Sequence, residues 1–202
     1  MALSIRRWVA TMLLVRPLVR PAIVLLALMA VAALRWTIVV DGDAPALATG
    51  LGFGLALVAV AIVGGVTFGS ARPVAIATGI VGGLVLVGLA LTSRLAPGPT
   101  IPFAPASALL PWASVTLVVA FGEELVLRGA LFEAIATSLG DPAAVLVTSV
   151  AFALIHVPLY GWHVVPLDLG VGLWLGGLRL VSGGVAAPAV AHAIADLATW
   201  WL

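Results

Sequence analysis

The chain is 202 residues long, 63% hydrophobic and 8% charged, with a mean hydropathy of +1.28 and a formal net charge of +1. Soluble globular domains carry about 25% charged residues, so a soluble fold is excluded and a polytopic membrane protein is indicated. All nine basic residues are arginines scattered along the chain, which offers nucleic acid no basic patch, and the absence of cysteine removes disulfide and thiolate chemistry.

The first twenty residues carry Arg6, Arg7, Arg16 and Arg20 around a short apolar run, 8–15. A basic start before an apolar run also fits a signal peptide. However, no small-residue cleavage site is clear, and Arg16 and Arg20 cut the run. The segment reads instead as a short basic interfacial helix leading into the first span. A span takes about 20 apolar residues. The first runs over 21–40 and stops at Asp41-Gly42-Asp43, with Arg35 near enough to that end to snorkel. The second, 47–68, is glycine-rich, and the third covers 74–91. A proline-rich link, 95–105, is too broken for a helix.

A fourth helix is expected to run over 106–139, interrupted only by Pro111 in its first turns, with Glu133 in last turns that project into the interface. Gly140-Asp141-Pro142 stops it and starts the fifth, 142–157, which is followed by a loop over 159–166. The sixth, 168–180, carries Gly170, Gly172, Gly176 and Gly177, which permit close packing. The seventh follows Ser182-Gly183-Gly184 and ends in Trp200-Trp201, an interfacial anchor. The expected fold is an all-α polytopic transmembrane helical bundle of about seven spans preceded by the basic interfacial helix. Residues 1–202 form a single integral-membrane domain, with 1–105 as N-terminal spans and 106–202 as the helices that carry the polar motifs. The arginine-rich start and Arg72 favour a cytoplasmic N-terminus, while Arg94 opposes it.

Only three glutamates occur in the chain, and two of them, Glu123 and Glu124, stand side by side in an apolar run. A charge at the centre of a span costs about 2.5–3.5 kcal/mol on insertion scales, so such groups mark function by default. Arg128 lies four residues past Glu124, a spacing that pairs the two on one helix face. His156 sits near the end of the fifth helix, and His192 and Asp196 share one face of the seventh. Counted from the Gly140 turn, Glu123 and His156 both rise about 25 Å and so lie at similar depth on neighbouring helices. His192 rises only about 12 Å from its own turn, which leaves a gap that tilt has to close.

Glu-Glu-x-x-x-Arg, Phe-x-x-x-His and His-x-x-x-Asp, in that order on successive late helices, resemble the CPBP family of intramembrane proteases. That family includes CAAX prenyl endopeptidases and bacterial Abi-related proteins. The match is carried by Glu123, Glu124, Arg128 and Gly129, then Phe152 and His156, then His192 and Asp196. It covers about residues 106–202; the first half matches only as generic spans.

The resemblance implies an endopeptidase of the bacterial cytoplasmic membrane acting on a peptide or protein substrate in or beside the bilayer. In it, Glu123 acts as general base on a water held with His156. His192 and Asp196 face the developing oxyanion or help bind the water or a metal, and Glu124 and Arg128 form a supporting pair. Two positions depart from the family pattern: Leu127 replaces a frequent aromatic, and Asp196 stands where the prenyl proteases have asparagine. An ionised aspartate only accepts hydrogen bonds, so it orients His192 or ligates a metal rather than donating to an oxyanion.

No cofactor is required by the residues. Glu123, His156 and His192 suit a divalent metal such as zinc with an open position, and Glu-plus-His activation of water without a metal fits equally. Three readings from other classes remain beside the protease. Glu123, Glu124 and Arg128 can serve as a purely structural ion pair. The fold can act as a non-catalytic adaptor or bacteriocin-immunity-type protein. Intramembrane acids and histidines can also relay protons in a small transporter. His163 matches no motif and reads as interfacial, Glu133 and Asp141 as solvated helix-end groups. Ser182 lacks the glycine a rhomboid-type serine motif needs, because Leu180 stands there.

Overall fold

A computed structural model describes the backbone of residues 2–41, 46–67, 72–93 and 106–202, and all the described structure is helix and turn. The segments rich in leucine, valine and alanine become helices because a chain in lipid must satisfy every backbone N–H and C=O internally. In order they are α1 (Ala2–Asp41), α2 (Ala46–Val63), α3 (Pro73–Ser93), α4 (Leu109–Glu124), α5 (Phe132–Leu139), α6 (Asp141–Tyr160), α7 (Val165–Ser182) and α8 (Ala186–Ala198). The basic N-terminal stretch belongs to the same continuous helix as the first span.

Five stretches are long and apolar enough to cross a membrane: Leu18–Val39, Ala46–Val63, Pro73–Thr92, Asp141–Tyr160 and Trp162–Ser182. The protein is an integral-membrane helical bundle. Two further helical segments, α4–α5 and α8, carry the acidic pair and the His192–Asp196 pair. They are packed against α2, α3 and each other. The third and sixth expected spans each extend by about one turn (α3 and α7), while the second ends earlier, at Val63.

Two expected breaks differ. The fourth helix is not uniform over 106–139: a 3-10 turn (Ala106–Ala108) leads into α4, and Leu125–Leu131 is π-helical before α5 resumes. α6 runs through Pro158 to Tyr160, so the loop expected over 159–166 shrinks to Gly161 and a 3-10 turn, Trp162–Val164. Gly161 (φ 88°) rather than the proline ends the helix, because only glycine takes that conformation without strain. The proline-rich link, 95–105, lies outside the described residues.

Small residues let the helices meet at backbone distance. A Cβ on Gly122 of α4 would stand 2.9 Å from the Gly54 carbonyl oxygen of α2. On α7, a Cβ at Gly172 would stand 2.9 Å from Ser149 Cα of α6. Gly176 packs likewise on Val145, whereas Gly170 and Gly177 have nothing within 4 Å. Around these crossings one apolar core joins Leu28 of α1, Leu57 of α2, Leu127 and Leu131 of the π segment, and Phe152 of α6.

Candidate active site

The polar residues converge at one end of the bundle. A cavity of about 970 Å³ opens there between the last turns of α1, α3, α6 and α8, the first turns of α2 and α7, and one face of α4 from Trp112 to Glu123. Its walls include Glu123, Phe152, His156, Asp168, His192, Asp196 and Arg35. The rest is mostly apolar, with Trp112 of α4 against Trp200 near the C-terminus, ring centroids 4.9 Å apart.

The foundation of the site is buried. Glu124 and Arg128 are fully buried, and Arg128 Nη1 donates to Glu124 Oε1 at 2.9 Å. Arg128 Nη2 donates to the Gly172 carbonyl at 3.0 Å, which ties the π segment to α7 at the glycine that lets α6 and α7 approach. Its guanidinium also lies 5.0 Å from the centroid of Phe152. The expected Glu124–Arg128 pair is therefore formed, and it reaches three other helices. The π turn has its own support: Arg179 Nε of α7 donates to the Arg128 carbonyl at 2.8 Å. Arg179 in turn pairs with Glu133 at 3.4 Å, and Thr67 donates a short hydrogen bond to the same carboxylate. Glu133 is thus a paired, half-buried group and not the solvated helix-end residue that its position implied.

His192 stands on this foundation. Its Nδ1 lies 3.0 Å from Glu124 Oε1, and its Nε2 lies 3.9 Å from Glu123 Oε2 and 3.4 Å from Asp196 Oδ2. The depth gap expected for His192 does not exist, and the reason is the level of its turn. Val185 packs on Gly129, so the α7–α8 turn sits well inside the bundle. His192 is seven residues beyond Val185 and Glu123 six residues before Gly129, rises of about 10 and 9 Å.

His156 approaches from α6. Its Nδ1 is 2.8 Å from the Phe152 carbonyl and 3.6 Å from Asp168 Oδ2. The Phe152 ring stands between the two imidazoles, edge-on to both, at 4.7 Å from His156 and 5.4 Å from His192. Tyr160 stacks on the outer face of His156 at 5.9 Å. All the expected site residues are therefore brought together: Glu123, His156, His192 and Asp196 on the cavity wall, with Glu124 and Arg128 behind them. His163 is exposed and outside this wall.

Two cavity residues escaped the motif reading. Asp168 was placed only as the start of a helix; it faces His156 across the mouth of the cavity. Arg35 lies four residues from the end of the Leu18–Val39 stretch and lines the cavity. It turns inward with its guanidinium 4.4 Å from the Phe53 centroid. A charge within an apolar span is the signal that singled out Glu123, and applied to Arg35 it finds this residue as well.

The donor set does not suit a zinc ion. Among the described residues no three His, Asp or Glu side chains gather as ligands for one metal. Both nitrogens of His192 face carboxylates, and His156 Nδ1 faces a backbone carbonyl. The chemistry below is accordingly derived from the side chains alone.

Fold and site together define an intramembrane helical bundle with an acid–imidazole centre at the wall of a membrane-level cavity. Residues 105–198 match the model of the family described as type II CAAX prenyl endopeptidase Rce1-like, in keeping with the resemblance that the three motifs carry. No curated protein and no solved structure matches the chain.

Proposed function

We propose that the protein is an intramembrane endopeptidase that hydrolyses a peptide bond with a water activated by Glu123. The observation that supports this most is the position of Glu123: 3% exposed, 3.9 Å from His192, and on one cavity wall with His156. A carboxylate on a cavity wall beside imidazoles is placed to take a proton from a water held there.

In the proposed reaction, a water held between Glu123 and His156 gives a proton to the Glu123 carboxylate as its oxygen attacks the scissile carbonyl. The tetrahedral intermediate then loses the C–N bond, and the proton on Glu123 passes to the leaving amine. The products are one new carboxyl group and one new amine. The Phe152 carbonyl takes the His156 Nδ1 proton, which leaves Nε2 to accept from the water. His192 has a carboxylate at each ring nitrogen, so both nitrogens are satisfied when they donate. The mostly apolar remainder of the cavity excludes bulk water from the reacting bond.

The family's name supplies the first probe: a prenylated, internally quenched peptide ending in a CAAX sequence, with its unprenylated form alongside. Full-length protein in proteoliposomes should cleave one of them, and Glu123→Gln, His156→Ala and His192→Ala should each abolish cleavage while still inserting. Full activity of Glu123→Gln on a peptide that the wild type cleaves would return the chain to the non-catalytic readings.

A further inference from the structure

Three groups outside the motifs remain without a role: Asp168 at the cavity mouth, the Arg179–Glu133–Thr67 cluster behind the π turn, and Arg35. Asp168 and the cluster are paired and explained by the groups they hold. Arg35 is not. It lies in the apolar part of α1, inside the Leu18–Val39 stretch, where an arginine without a partner is poorly tolerated. Its Nε is buried and makes no hydrogen bond, and its one contact of note is the face of Phe53 at 4.4 Å. Buried donors are nearly always paired, so a buried orphan on a cavity wall calls for a partner that arrives with the ligand.

The partner's charge follows from what surrounds the guanidinium. Arg35 is the one arginine on a wall that also carries Glu123, Asp168 and Asp196. Arg35 and Glu123 line the same cavity and form no ion pair with one another. A reacting carbonyl needs its attacking water on one side and a donor to its oxygen on the other, each about 3 Å away. A base and a cation on the walls of one cavity can take that carbonyl between them. The chain also lacks the donor expected from its motifs. Asp196 stands where an asparagine would donate, and the His192 ring nitrogens are turned to carboxylates. We infer that Arg35, from the half of the chain outside the family match, is the donor that stabilises the oxyanion formed when water attacks the scissile carbonyl. As the C=O bond becomes C–O⁻, the guanidinium takes up the negative charge, and it releases that oxygen when the C–N bond breaks and C=O is restored.

This inference rests on the hydrolase reading, and its test separates the two. Wild type, Glu123→Gln, Arg35→Gln and Arg35→Lys are compared as full-length protein in proteoliposomes on the cleaved CAAX peptide. Loss of an oxyanion donor lowers kcat by about 10²–10³-fold. Arg35→Gln should show that loss with KM little changed, and Arg35→Lys should retain more of the rate. A phosphonamidate analogue of the same peptide, which carries the tetrahedral anion, should lose affinity for Arg35→Gln by the same factor as kcat/KM. The intact peptide's Kd, measured on the Glu123→Gln background, should stay the same with and without Arg35→Gln.

Wild-type kcat and phosphonamidate affinity in Arg35→Gln overturn the assignment while leaving Glu123 as base. A raised KM at unchanged kcat also overturns it and makes Arg35 a contact to a ground-state anion such as a substrate carboxylate. Should Arg35→Gln not insert, Arg35→Met, which keeps the apolar stem and removes every donor, decides: kcat and phosphonamidate affinity falling together support the inference, and wild-type values for both refute it. Cleavage by Glu123→Gln at the wild-type rate, by contrast, removes the hydrolase reading itself.

Discussion

Replacing Arg128 with methionine should destabilise the protein strongly. Methionine keeps most of the volume but removes a guanidinium that is fully buried, bonded to Glu124 at 2.9 Å and to the Gly172 carbonyl at 3.0 Å. What remains is the Glu124 carboxylate at 0% exposure, with Oε2 already lacking a hydrogen bond and His192 as its one charged neighbour of opposite sign. Breaking a buried pair in this way costs about 3–5 kcal/mol, against about 0–1 for an exposed pair. Glu124→Gln keeps the shape and an acceptor for Arg128, so its cost should be lower, about 1–2 kcal/mol. The double variant leaves neither charge stranded, and should therefore be more stable than the sum of the two losses by about 1.5–3 kcal/mol. Reversible unfolding in mixed micelles, followed by tryptophan fluorescence, reads all four proteins. An Arg128→Met loss below about 0.5 kcal/mol, or strict additivity in the cycle, would refute the view of this pair as the buried foundation of the site.

Other consequences concern chemistry and packing. Glu123→Gln should lower kcat by at least about 10²–10⁴-fold with the unfolding midpoint nearly unchanged, since Glu123 faces the cavity and holds no helix together. Phe152→Ala removes a ring 3% exposed that touches both imidazoles and the Arg128 guanidinium. It should cost about 3–5 kcal/mol in the same unfolding assay and lower kcat as the two histidines lose their common wall. Gly172→Ala puts a methyl 2.9 Å from Ser149 Cα, so α6 and α7 must part. A loss of about 1–3 kcal/mol is expected, and Gly172→Ala in the Arg128→Met background should cost less than it does alone, because the carbonyl contact is already gone.

How far the residues announced this structure depends on what carried the signal. Apolar length and polar punctuation located the traverses to within a turn or so for α3 and α7, because lipid leaves the backbone few choices. The i,i+4 spacing was enough to pair Glu124 with Arg128 and to set His192 beside Asp196. The π segment over Leu125–Leu131 was illegible, since nothing in Leu-Val-Leu-Arg-Gly-Ala-Leu breaks an α pattern. It is held by a tertiary contact, the Arg179 side chain on the Arg128 carbonyl. His192 could not be placed by counting from the chain's own turn, because the inset of that turn depends on Val185 packing on Gly129. Pro158 was read as a helix stop, yet the helix continues to Tyr160 and ends at Gly161. Arg35 and Asp168 were visible as charges, but without a motif their inward direction came only from the three-dimensional arrangement.

The central claim is that a water activated by Glu123, on the wall shared with His156 and His192, attacks a peptide bond. A single-turnover cleavage of the CAAX peptide in H₂¹⁸O, with protein in excess and products read by mass spectrometry, tests it most directly. The new carboxyl group should carry one ¹⁸O in the first turnover with wild type, and Glu123→Gln should yield no product. An unlabelled first-turnover product, which would mean that an enzyme oxygen had attacked, or labelled product from Glu123→Gln at the wild-type rate, would contradict it.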